Sequence, residues 1–84
     1  MLPIVKLGGG KYLIGVESKI AVIKGTTCVV RVGGGFENMQ AYILRVQEDQ
    51  LAKLDKMMKE QEKTLKQIVN DLVRKFKGDS SGND

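Results

Sequence analysis

Apolar positions follow two different rhythms along this chain. From Tyr12 to Val16, Ile20 to Ile23 and Thr27 to Val32, short runs rich in Val, Ile, Thr and Tyr are separated by glycines, the pattern of β-strands. In the last run Cys28, Val30 and Val32 fall on one face, and Val29 and Arg31 on the other. Lys24-Gly25-Thr26 between two such runs reads as a hairpin turn. The rhythm changes at the triplet Gly33-Gly34-Gly35. From Phe36 to Lys77 there is no Gly or Pro, and Leu, Gln, Glu, Lys and Met dominate, all strong helix formers. This stretch predicts one long helix, with Asn38 as its N-cap and Gly78 as its end, followed by a disordered tail over 78–84. At about 1.5 Å per residue such a helix is about 60 Å long and outruns a domain of this size.

Two faces of the predicted helix are apolar. Met39, Tyr42, Ile43 and Val46 form the first, placed to dock on the sheet. Leu51, Leu54, Met58, Leu65, Ile68 and Leu72 form the second, rotated by roughly 90°. Steps of three and four residues recur through this second face, as in a coiled-coil seam, although Gln47 and Gln61 interrupt it. The reading is a helix interface for a second copy or another helical protein, because an apolar stripe of this length does not stay exposed. The alternative is a helix folded back over its own sheet, which needs a break that no Gly or Pro supplies. The expected architecture is therefore α+β: a small glycine-rich antiparallel sheet followed by one long helix with coiled-coil-like character. Residues 1–46 form the sheet module with the start of the helix, and 47–77 the extended amphipathic helix.

Composition narrows the function. At 84 residues the chain holds one domain, too small for a large enzyme core. One cysteine and no histidine exclude an internal disulfide framework and any metal site built from several Cys and His ligands; a reducing compartment fits. No apolar run approaches the about 20 residues that a membrane helix needs. The net charge of +4 is concentrated in the sheet half, where Lys6, Lys11, Lys19, Lys24 and Arg31 face only Glu17. An acidic protein surface is the matching partner; nucleic acid fits less well, since Tyr12 is the sole aromatic in that half for bases to stack on.

Neither glycine cluster makes a nucleotide site. Gly8-Gly9-Gly10-Lys11 has Val5 where a phosphate loop needs its first glycine and Tyr12 where it needs Ser or Thr. Gly33-Gly34-Gly35 lacks the later glycine of a dinucleotide fingerprint. Cys28 lies in an apolar strand with no histidine to act as its base, so it reads as a structural thiol. Carboxylates such as Asp49 and Glu62 stand four residues before Lys53 and Lys66, the spacing of a solvated helix face. The chain is not expected to be an enzyme, and no catalytic residue, cofactor or metal is expected.

Val29-Val30-Arg31-Val32-Gly33-Gly34-Gly35-Phe36 resembles the signature of the GAR domain, the growth-arrest-specific-two-related module of spectraplakins and related cytoskeletal proteins. Gly10-Lys11-Tyr12 with Gly15 is similar to a second motif of that family, G-K-Y-x-x-G, and Met39, Tyr42, Ile43 and Leu44 resemble the short apolar helix after the signature. The resemblance covers Val5 to Arg45. Tyr12, Gly33, Gly34, Gly35 and Phe36 are then the signature positions, with Phe36 where the family has Trp. The resemblance implies an α+β module that binds microtubules. Its zinc-binding part is not carried over: that half would precede Met1, and Val46-Gln47-Glu48-Asp49 replaces the family's cysteine after the helix. The expectation is a non-enzymatic microtubule-binding protein of the cytoplasm and cytoskeleton, the cilium or axoneme being one such setting. Lys6, Lys11, Lys19, Lys24 and Arg31 make the electrostatic contacts to tubulin, and the helix mediates assembly as a homodimer or with another helical protein. In the alternative, an adaptor, the helix does the binding and the sheet is only structural.

Overall fold

The computed structural model describes residues 2–81, with side chains through Lys77. Five strands, β1 (Ile4–Gly8), β2 (Lys11–Ile14), β3 (Glu17–Lys24), β4 (Thr27–Val32) and β5 (Gly35–Asn38), precede two helices, α1 (Met39–Gln61) and α2 (Leu65–Ser81). The sheet is an antiparallel meander in the order β1-β2-β3-β4-β5. The expected α+β architecture, an antiparallel sheet followed by a long helix, is what forms. β3 serves as the spine, pairing through Glu17 to Ile20 with β2 and through Ala21 to Lys24 with β4. Gly25-Thr26 closes the hairpin between β3 and β4 as expected, with Gly25 at φ 65°.

Two strands are additional to those legible in the sequence. β1 ends in the Gly8–Gly10 turn, and β5 occupies the four residues between the second glycine cluster and α1. The triplet does not open the helix: Gly33 and Gly34 form the turn from β4 to β5, and Gly35 already pairs with Val32. Asn38 is the N-cap, its Oδ1 accepting from the backbone N–H groups of Gln40 at 2.9 Å and Ala41 at 3.2 Å.

The single 60 Å helix is divided, and the longest dimension of the molecule is 42 Å. α1 stops because Glu62 turns left-handed at φ 53°, ψ 48°, and the N–H of Lys63 donates to the Met58 carbonyl at 3.0 Å, a closure that satisfies an orphan end of the helix. α2 restarts on a capping box: Thr64 Oγ1 accepts from the Gln67 N–H at 3.2 Å, and Gln67 Oε1 accepts from the Thr64 N–H at 3.0 Å. Lys63 Nζ lies 2.6 Å from Asp71 and fastens the corner. α2 thereby returns to pack on β1 and α1. The helix does not end at Gly78 as expected, since α2 runs to Ser81, and the rest of the tail expected at 78–84 lies outside the described residues.

One core joins all of this: Leu2, Leu7, Leu13, Ile14, Val30, Tyr42, Leu54, Ile68 and Leu72. The first helix face behaves as expected, with Tyr42 buried and Met39, Ile43 and Val46 packed against the core. Three residues expected at a partner interface, Leu54, Ile68 and Leu72, are instead 2%, 0% and 6% exposed inside this chain. Leu51 and Met58 are half-buried against the same core, whereas Leu65 remains exposed. The turn at 62–64 explains this placement, since it folds the second half of the stripe back onto the sheet.

A basic and apolar face of the sheet

Cross-strand partners in an antiparallel sheet project to the same side, and residues two apart along a strand do likewise. The register therefore sorts the basic residues. Lys11 pairs with Ile20, Val22 with Val29, Lys24 with Thr27, and Arg31 with Phe36. All eight residues lie on one face of β2 to β5, which is open from Ile20 across to Phe36 and closed at the far end of β2, where Leu13, two residues from Lys11 on the same face, is 0% exposed. Lys6, Tyr12 and Lys19 form a cross-strand row on the other. That second face carries buried Ala21 and Val30 and lies under α1, whose Tyr42 ring centroid is 5.9 Å from Lys19 Nζ. Lys19 is also 3.9 Å from Glu17. The five basic residues expected to act together are thus divided, with Lys11, Lys24 and Arg31 outward and Lys6 and Lys19 toward the helix side.

The outward face combines these three cations with exposed Ile20, Val22 and Phe36 and half-buried Val29. Lys24 Nζ sits 3.9 Å from the Phe36 ring centroid, a cation–π contact that holds both side chains against the sheet. Phe36 is 45% exposed and forms part of the surface. The face has no acidic residue. Both carboxylates of the strands, Glu17 and Glu37, project to the helix side. There Glu37 accepts two hydrogen bonds from Arg45, at 2.6 and 3.1 Å, and the guanidinium holds its carboxyl below the usual carboxylate range. Burial, then Glu17, pushes the Tyr42 hydroxyl up from its ordinary value. Segregation of charge to opposite sides leaves the outward field positive.

Gly15, of the G-K-Y-x-x-G motif, is used where the sheet meets α1. Its φ is +65°, and a Cβ there would stand 2.5 Å from Gln50 Oε1. The same oxygen accepts from the Val16 N–H at 2.8 Å. Gln50, 3% exposed, is the residue that sequence reasoning missed, because a glutamine inside a polar helical run carries no signal of burial.

Residues 1–50 match the family model of the Growth-Arrest-Specific Protein 2 Domain. The chain belongs to this family. The match includes the GAR signature and both glycine motifs, and it ends at Gln50, the residue that locks the sheet to α1. The Growth-Arrest-Specific Protein 2 domain is a cytoskeleton-binding module with a general microtubule-associated role, not a known enzyme family. No curated protein and no solved structure matches the chain.

Cys28 lies half-buried beside a shallow cleft whose other walls are Thr26, Thr27, Asn38, Met39 and Gln40, none of which is a base. Among the described residues, no three His, Cys, Asp or Glu side chains gather where a metal could bind. The residues present do not fit a zinc site, since the sequence offers one cysteine and no histidine. No helix among the described residues is long and apolar enough to cross a membrane.

Proposed function

We propose that the protein binds microtubules through the outward face of β2 to β5, with Lys11, Lys24 and Arg31 meeting acidic groups of tubulin while Ile20, Val22, Val29 and Phe36 supply the apolar contact. One observation supports this most directly: the register places three cations and four apolar side chains on one face and both strand carboxylates on the other. Long-range attraction from the cations would orient the encounter, and the apolar centre would retain the bound state. Lys6 and Lys19 lie on the other side and contribute only to the general positive field. Membership of a microtubule-associated family agrees with this reading.

Co-sedimentation with microtubules across a salt series tests it. Joint reversal of Lys11, Lys24 and Arg31 to Glu is expected to abolish pelleting, while Lys56→Glu with Lys59→Glu on exposed α1 leaves it within about twofold. Circular dichroism of each variant verifies the fold. Undiminished pelleting of the triple variant, or equal loss in both, would overturn the assignment of this face.

A further inference from the structure

The corner between α1 and α2 carries an inference that the filament reading does not contain. Glu62 is the one non-glycine residue with positive φ among the described residues, a conformation that a side chain makes unfavourable and glycine adopts freely. Glu62, Lys63 and Thr64 are the whole connection, and no Gly or Pro interrupts the chain from Phe36 to Lys77. The 3-and-4 spacing also keeps its phase across the corner: Leu51, Leu54 and Met58 before it and Leu65, Ile68 and Leu72 after it fall on one continuous register, with the polar Gln61 at the position between them. Two helices joined by a turn have no need of a shared phase. One straight helix does.

Straightening the corner would carry Ile68 and Leu72 off β1 and open the core around Leu2 and Leu7. An identical α2 restores the same contacts, so the occupant of the opened face is a second copy of this chain. We propose that the protein forms a domain-swapped dimer in which residues 62–64 become helical and α2 of each copy covers β1 of the other. The helices cross near the former corner, where Leu65, 40% exposed in the folded-back form, gains a partner. Short hinges under strain are the connections that exchange elements in this way. The exchange is independent of filament binding, and its product displays two basic faces on one particle.

Light scattering across a concentration series, joined to an intrachain distance, tests the proposal. Labels at Glu48→Cys and Lys75→Cys in a Cys28→Ser background, diluted into unlabelled chain, should lie clearly nearer to each other while the 62–64 corner folds α2 back onto β1 and α1 than in a straight helix. They should be about 40 Å apart in one straight helix. The expected result is a dimer with the long distance and a monomer with the short one. Glu62→Gly, which favours the turn, should lower the association constant by about tenfold or more, because each dimer contains two hinges. A monomer at every concentration up to about 1 mM, a dimer retaining the short distance, or a dimer indifferent to Glu62→Gly would each overturn the proposal.

Discussion

One buried amide bridges the sheet and α1 beside their shared core. Gln50 reaches from α1 into the turn after β2 and fits only because position 15 has no side chain. Gly15→Ala adds a left-handed alanine and a carbon inside Gln50, and is expected to cost about 2 kcal/mol or more in urea unfolding. Gln50→Ala leaves the Val16 N–H without its partner and should cost about 1–3 kcal/mol. The double variant should be less destabilised than the two losses added, because removing Gln50 makes room for the new methyl. Strict additivity would show that the two residues do not oppose each other. The importance of Gly15 is legible in the motif, but its reason is not: the clash depends on a residue 35 positions later that periodicity places among solvated neighbours.

At the scale of elements, the hairpin, the N-cap and the docking face of α1 were readable because each is a local consequence of residue type. Thr27 to Val32 is a run of β-formers, Gly25 supplies the turn, and Asn38 caps its own helix. β5 was hidden, since Gly35-Phe36-Glu37-Asn38 is too short to show alternation. The helix corner was in fact written in Thr64-x-x-Gln67, a capping box masked by the strong helical composition on both sides. The corner also predicts a pH response. The Lys63 ammonium holds the Asp71 carboxyl below its ordinary value. A carboxylate with a lowered folded-state value contributes stability above its unfolded value and loses it as pH falls through the folded one. Asp71→Asn should therefore lower the melting temperature at pH 7 and lower it less at about pH 3, where the parent carboxylate is beginning to take up its proton. An equal difference at both pH values would assign the effect to packing instead.

The whole molecule is larger than its family signature. The family match ends at residue 50, yet Leu54, Ile68 and Leu72 all lie beyond it and complete the core. A chain cut after Gln61 loses two buried aliphatic side chains worth about 2–5 kcal/mol each, comparable with the full stability of a small domain. Amide exchange should show protection lost throughout the sheet in that fragment. Persistent protection in β3 and β4 would mean that the sheet and α1 suffice. The sheet's two-sided division of charge was the least legible property of all, because a one-residue change of register would send every lysine to the opposite face.

The meander gives the molecule an order of completion. Each strand pairs with the one made just before it, so the sheet can assemble from neighbours. The contact between β1 and α2 is different, since it joins the first strand to the last helix. At about 5–20 residues per second, a ribosome finishes β1 on the order of seconds before it emits the helix that covers it. Leu7 stays wet throughout that interval, with a sheet already built around it. Two nascent chains on one message would be held in this half-closed state side by side.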